Sequence, residues 1–352
     1  MRALLVAAIV ASLLSTPAHA AAPPGIDHVI IVSIDGLRSD ALLAVSRTDL
    51  PILKRLCTGA STLNARTTAT LTVTLPNHTS MITGRPISGP RGHAWTANDW
   101  SVGDADLHGH REAYLPSIFD VAHDHGVFTG LFVTKSKLAL FDLSFDASHG
   151  RPDAIGADDG PDKIDAFHYA SSADLEPELC AAETTDAVIA ALDGGAARSL
   201  LLVHYRNPDS IGHAHGWDLT RGSPYLASIA DVDRELARIM TRIDGSDRLR
   251  GRTAVIVTTD HGGGAPYKSH DRPEMWVNYI IPFIVWTEDG AGADLYALNP
   301  WTRAEPGLAR PGNDQRPGPI RNGEAGNVAL DLLGLPPVQG STLNGAHDLR
   351  VR

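Results

Sequence analysis

Five short stretches of this chain are apolar almost from end to end: His28–Ile34, Gly126–Val133, Ser199–His204, Thr253–Thr258 and Tyr279–Val285. They are rich in Val, Ile, Leu and Phe and are too short for buried helices. A strand with one wet face alternates apolar and polar residues, so strands without alternation are covered on both faces. Segments with helical spacing lie between them. Leu115–His125 begins with Pro116 and stops before Gly126. Ser223-Pro224 opens another run, with Leu226, Ile229, Val232, Leu236, Ile239 and Ile243 on one stripe and Asp244-Gly245 at its close. Strands alternating with helices predict an α/β fold, a mostly parallel central sheet with helices on both faces. No linker separates the runs. One domain over residues 21–352 is therefore expected, with long loops inserted at 85–114, 143–180, 206–222 and 287–322. Loops of that length are usually functional or lid-like.

The start of the chain reads differently. Arg2 precedes an apolar run from Ala3 to Leu14, with Ala18-His19-Ala20 beyond it. Charge, short apolar core and an A-x-A end make residues 1–20 a secretory signal cleaved after Ala20, which predicts a periplasmic or secreted protein. No later run is long enough for a bilayer, so no stable membrane insertion is expected. The formal charge of −11 argues against a nucleic-acid polymer as partner. An acidic chain can still take an anionic ligand where metal ions supply the positive charge. Cys57 and Cys180 are either one disulfide in an oxidising compartment or two separate buried thiols.

Polar clusters come directly after the apolar runs, at the edge where open α/β sheets bind ligands. Asp35 comes after the first. Asp209 and His213 come after the third, four residues apart, where they can share a helical face. Asp260 and His261 come after the fourth, ahead of Gly262-Gly263-Gly264, and His270 lies in the next loop. Taken singly, each has an ordinary alternative: a turn aspartate, a solvated histidine. Together they are six side chains of the oxygen and nitrogen types that suit zinc. One zinc needs three or four ligands, so six and a shared group suit two. The shared group is Thr74, in the stretch LTVTLPNHTSMITG at 71–84. Its threonines alternate with apolar residues as in a strand, which stops at Leu75-Pro76. A short helix, Pro76–Thr83, is expected next, with Gly84 after its end. A hydroxyl at that junction sits beside a helix N-terminus, which attracts anions such as phosphate, and metal binding activates it as a nucleophile.

The chain resembles the alkaline phosphatase superfamily, most closely its type I phosphodiesterase/nucleotide pyrophosphatase branch. The resemblance rests on VSIDG at 32–36, TLPNHTSMITG at 74–84, NPDSIGHAHG at 207–216 and TTDHGGG at 258–264. It implies an alkaline-phosphatase-like catalytic domain that hydrolyses small phosphoesters with Thr74 as nucleophile and two zinc ions. Asp35, Thr74, Asp260 and His261 would hold one ion; Asp209, His213 and His270 would hold the other. His270 is preferred to His347, which is near the C-terminus. In GHAWTAN at 92–98, Asn98 would bind a phosphoryl oxygen, while Asn77 and His78 brace the turn. A phosphomonoesterase or phosphonate hydrolase is the nearest alternative, and a non-catalytic metal-binding protein a more distant one. A sulfatase is disfavoured, because Thr74 cannot become formylglycine. A neutral donor at Asn98, with Trp95 and Trp100 as walls of an apolar slot, predicts a diester substrate; Arg85 and Arg91 are candidate cations for a monoester. Trp95, Trp100, Tyr169, Trp217, Tyr225 and Trp301 are candidates to stack a base or aryl group.

Overall fold

The structure is a computed structural model that describes residues 25–101, 103, 105–157, 159–170, 177–290 and 292–352. The expected signal lies outside them. The strands are β1 (His28–Ile34), β2 (Ala60–Arg66), β3 (Phe128–Val133), β4 (Ala166–Tyr169), β5 (Ser199–Tyr205), β6 (Thr253–Thr258), β7 (Ile280–Thr287) and β8 (Ala293–Asp294). They form one sheet in the order β4-β3-β5-β1-β6-β7-β2-β8. β1 pairs in parallel with β5 and β6. β7 alone runs against its neighbours, β6 and β2. The mostly parallel α/β sheet expected from the sequence is the observed one.

Every residue of β1, β5, β6 and β7 is buried. Because strand side chains alternate between faces, the same strands feed two cores. Val29, Ile31, Leu200, Leu202, Ala254 and Ile256 belong to one. Ile30, Val32, Leu201, Val203, Val255 and Val257 belong to the other. Each fully buried aliphatic side chain stabilises the fold by roughly 1.5–3 kcal/mol, which explains why neither face of these strands tolerates polar alternation.

The Pro224–Asp244 helix packs its expected stripe into the second core, and Ser223 caps it by accepting from Leu226 N. The helix expected from Leu115 instead covers Ile118–Asp124. Ser117 accepts from Phe119 N and Asp120 N while the Asp120 side chain reaches back, so Pro116 precedes the cap. Residues 71–73 are extended but pair with no strand. The helix then starts at Thr74, not Pro76, and runs to Thr83, ending on Gly84 in the left-handed region. β2, ASTLNAR, lacks the apolar run that marks the other strands; it is half-buried and bulged between Thr62 and Ala65. Cys57 and Cys180 do not pair with each other; Cys180 Sγ accepts from Arg206 Nη2 at 3.6 Å. Among the described residues, no helix is long and apolar enough to cross a membrane.

Candidate active site

β1 lies between β5 and β6, so the segments leaving the ends of these three strands meet at one edge. Asp35 comes directly after β1, its N–H bonded to Tyr205 O. The Asn207–His215 helix, carrying Asp209 and His213, comes after β5. Asp260 and His261 come after β6. The crowding there is severe. Gly36 has φ +71°, and a Cβ on it would lie 3.0 Å from Asp209 Cα. Trp217, whose Nε1 donates to Gly36 O, wedges between Gly212 and Gly263.

His261 Nε2 is 3.2 Å from Asp260 Oδ2 and 3.6 Å from Asp35 Oδ1. Asp209 Oδ1 is 3.4 Å from His213 Nε2 and 3.7 Å from His270 Nε2. The His261 and His270 rings stack at 3.6 Å, which joins the two groups into one cluster. The sequence-predicted set of Asp35, Asp209, His213, Asp260, His261 and His270 is thus together.

Hydrogen bonding assigns the histidine tautomers. Nδ1 of His261 faces Gly262 O at 2.7 Å, Nδ1 of His270 faces Thr72 O at 2.6 Å, and Nδ1 of His213 faces Lys268 O at 2.9 Å. A carbonyl only accepts, so each Nδ1 carries the hydrogen, and in the neutral ring Nε2 then presents a lone pair. Burial favours the neutral ring, lowering His261 and taking His270 down to about 4. Lone pairs that face carboxylate oxygens repel unless a cation stands between them. Asp35 Oδ1, Asp209 Oδ1, Asp260 Oδ2 and His261 Nε2 are buried without a hydrogen-bond partner. A buried orphan of this kind costs about 1–3 kcal/mol or more. Carbonyl-oriented imidazoles beside carboxylates are a metal-ligand arrangement, and the donor set fits zinc.

Two residues missed in the sequence complete the centre. Lys135 Nζ lies 2.6 Å from Asp35 Oδ2, 2.6 Å from Asp209 Oδ2 and 3.3 Å from Thr74 Oγ1. It takes the Oδ2 atoms and leaves the Oδ1 atoms for other partners. Burial opposes its charge, but Asp209 and Asp35 outweigh burial and raise its pKa. Lys135 lies just past β3, but a loop lysine is ordinarily solvated, so that position alone did not mark it. His204 Nε2 meets Asp35 Oδ2 at 2.9 Å, with both side chains fully buried. Its signal was a titratable residue at the end of an apolar run. Burial pushes Asp35 up, yet Lys135 and then the His204 hydrogen bond hold it well below the usual carboxylate range. Asp260 is pushed up to about 7 by burial and then by the Asp35 charge.

Around Thr74 the chain is held by side chains rather than by a sheet. Asn77 Nδ2 donates to Leu71 O and Val73 O, and its Oδ1 accepts from Thr68. His78 bridges Thr74 O and Ser33 Oγ, both at 2.8 Å. Asn98 Oδ1 accepts from Leu75 N at 3.1 Å, next to Thr74. Other expectations fail. Trp95, Trp100, Trp217 and Tyr225 are buried, Trp95 and Trp100 in the first core, so they wall no open slot. Arg85 donates to Arg91 O and Gln339 O. Lys135 instead places a cation beside Thr74. His347 pairs with Asp331, outside the cluster.

Comparison with known proteins places the chain by family and by fold. The 2,3-bisphosphoglycerate-independent phosphoglycerate mutase of Synechococcus elongatus is 37% identical over 115 residues, 32% of this chain and 19% of that protein. The chain thus spans only about a fifth of that relative. An alkaline phosphatase superfamily protein from Vibrio parahaemolyticus matches with a TM-score of 0.54 at 13% identity, over 91% of this chain and 69% of that one. The C-terminal periplasmic domain of EcEptC from Escherichia coli, in complex with zinc, matches with a TM-score of 0.53 at 16% identity, over 89% and 83%. These two likenesses are of fold. Residues 29–307 match the type I phosphodiesterase/nucleotide pyrophosphatase family, and the chain belongs to that family.

Proposed function

We propose that this hydrolase is exported, uses Thr74 as its nucleophile and works with two zinc ions, on the phosphodiesterase/nucleotide pyrophosphatase pattern. The observation that carries this is the set of three imidazoles, each fixed through Nδ1 to a carbonyl, with Nε2 atoms turned to carboxylate oxygens. Asp35, Thr74, Asp260 and His261 would hold one ion, and Asp209, His213 and His270 the other. Bound zinc would acidify the Thr74 hydroxyl and neutralise phosphoryl oxygens.

The remaining chemistry belongs to the chain. Thr74 Oγ1 attacks phosphorus, the bond to the leaving oxygen breaks, and the leaving group takes up a proton. Water then cleaves the phosphothreonine, restoring the hydroxyl and releasing the phosphoryl product. Asn98 uses Oδ1 on Leu75 N, which leaves its amide N–H groups as donors to a phosphoryl oxygen. Thr74→Ala should abolish turnover of p-nitrophenyl esters while most zinc stays bound, and Thr74→Ser should retain part of the activity. An alanine variant with near-normal turnover removes Thr74 from the role. Export is checked by N-terminal sequencing of periplasmic or secreted protein, which should begin Ala21-Ala22-Pro23.

One observation favours a second reading, a monoesterase. A monoester dianion carries one more charge than a diester, and Lys135 places an ammonium 3.3 Å from Thr74 Oγ1. Lys135→Ala should lower kcat/KM for p-nitrophenyl phosphate at least tenfold, about 1.4 kcal/mol, and lower it less for bis(p-nitrophenyl) phosphate. Equal losses would assign Lys135 to ligand positioning alone and return the preference to diesters.

A further inference from the structure

Two cavities outside the ligand cluster share a wall. One, of about 360 Å³, is bounded in part by Arg91, Arg316, Arg321 and Asn344. The other, of about 650 Å³, is bounded in part by Thr70, Arg91, Arg310 and Arg316. Arg91, Asn313, Arg316 and Thr342 line both, so they make one groove.

In a chain of net charge −11 this groove is locally basic. Arg310 donates to Thr67 Oγ1 and to the carbonyls of Thr68 and Pro273. Arg321 donates to the carbonyls of Thr67, Pro311 and Gly312. Arg316 donates to those of Asn313 and Gln315. These neutral acceptors take up most of the N–H groups, leaving Arg310 Nε without a partner, and cancel no charge. Of the three acids on the wall, Glu324 and Asp348 are both engaged by Arg303 at 2.8 Å, and Asp314 is exposed on the rim, leaving five arginines against three carboxylates. Burial and the neighbouring Arg321 push Arg310 down to about 10, the response of a guanidinium with too little negative charge near it. Asn344 adds an independent sign. It is 4% exposed, its Oδ1 accepts from Leu349 N, and its Nδ2 has no partner. An oxyanion would supply both the missing acceptor and the missing charge.

The groove also lies close to the chemistry. Thr70 on its wall is four residues from Thr74, so their Cα atoms are at most about 14 Å apart. We propose that this groove binds phosphate or a similar polyvalent oxyanion, as the remote charged group of the substrate or as a free anion. The substrate arm rests on the Thr74 reading; the binding arm does not.

Calorimetric titration of the zinc-loaded protein with inorganic phosphate separates them. Wild type should bind two equivalents, Arg91→Ala/Arg316→Ala one, and Asp209→Asn one, the last retaining the groove. A double variant that melts with wild type yet binds phosphate with wild-type stoichiometry and affinity overturns the proposal. If Asp209→Asn keeps full binding while the double variant loses one equivalent, the groove stands and the metal-centre reading falls. Kinetics then name the source. The double variant should hydrolyse p-nitrophenyl phosphate within twofold of wild type. A tenfold or greater loss confined to a sugar bisphosphate marks the groove as a substrate subsite; an unchanged rate on both marks it as a free-anion site.

Discussion

The hydrogen on each Nδ1 decides what His213, His261 and His270 can do. With that atom committed to a carbonyl, the imidazole is a lone-pair donor rather than a proton shuttle. His270→Ala should therefore cost zinc before it costs anything else. Elemental analysis should show the second ion lost or bound at least tenfold more weakly, with turnover falling in parallel; unchanged zinc and turnover would move the third ligand elsewhere. These residues were legible because Asp and His after an apolar strand are costly to bury unless something uses them. Lys135 was not. A lysine in a loop is ordinarily solvated, and its buried state depends on Asp35 and Asp209, which lie far from it in the chain. The tryptophans failed for a related reason. Composition places an aromatic near Asn98, but only the packing of the first core decides whether its face is open.

Local rules set the strands, and tertiary contacts set the ends. Ser117 overrides Pro116 as the start of its helix because a capping box satisfies two backbone donors where proline satisfies none. Residues 71–73 read as a strand by alternation, but Asn77 supplies the partners a sheet would have given. The Trp217 wedge is an element-scale device of the same kind. A Cβ on Gly263 would come within 2.1 Å of its indole. Gly263→Ala should destabilise the protein by about 1–3 kcal/mol through overpacking and should lower zinc content, since the same turn carries His261; normal melting and metal content would show that the indole yields freely. The Ala139–Ser144 helix offers a pH test. Asp142 is raised to about 6 by burial and then by Asp162 and Asp146. Its folded pKa exceeds its unfolded one, so its contribution is fully present below pH 4 and is lost as pH rises through 6. Asp142→Asn should therefore stabilise at pH 7.5 by about 1 kcal/mol after allowing for solvent screening, and not at pH 4. Thermal melts at both values check it; an equal gain at both would exclude a charge effect.

At the scale of the molecule, the class of fold was legible in the five apolar runs, since only a sheet covered on both faces accommodates them. The strand order was not, because β2 and β8 carry no such run and β7 reverses direction without announcing it in composition. The order has a kinetic consequence. β1 is the most central of the apolar strands, yet its pairing with β5 joins His28 to Ser199, 171 residues on, and the contact of Gly36 with Asp260 spans 224. During synthesis, HVIIVSI must wait with both edges bare until more than half the chain has appeared. Parallel pairing over such separations is slow and exposes sticky intermediates. Refolding from denaturant should give low yields at micromolar protein that improve on dilution, and zinc uptake should appear only in the last phase, as the final report that β1 has found both its neighbours.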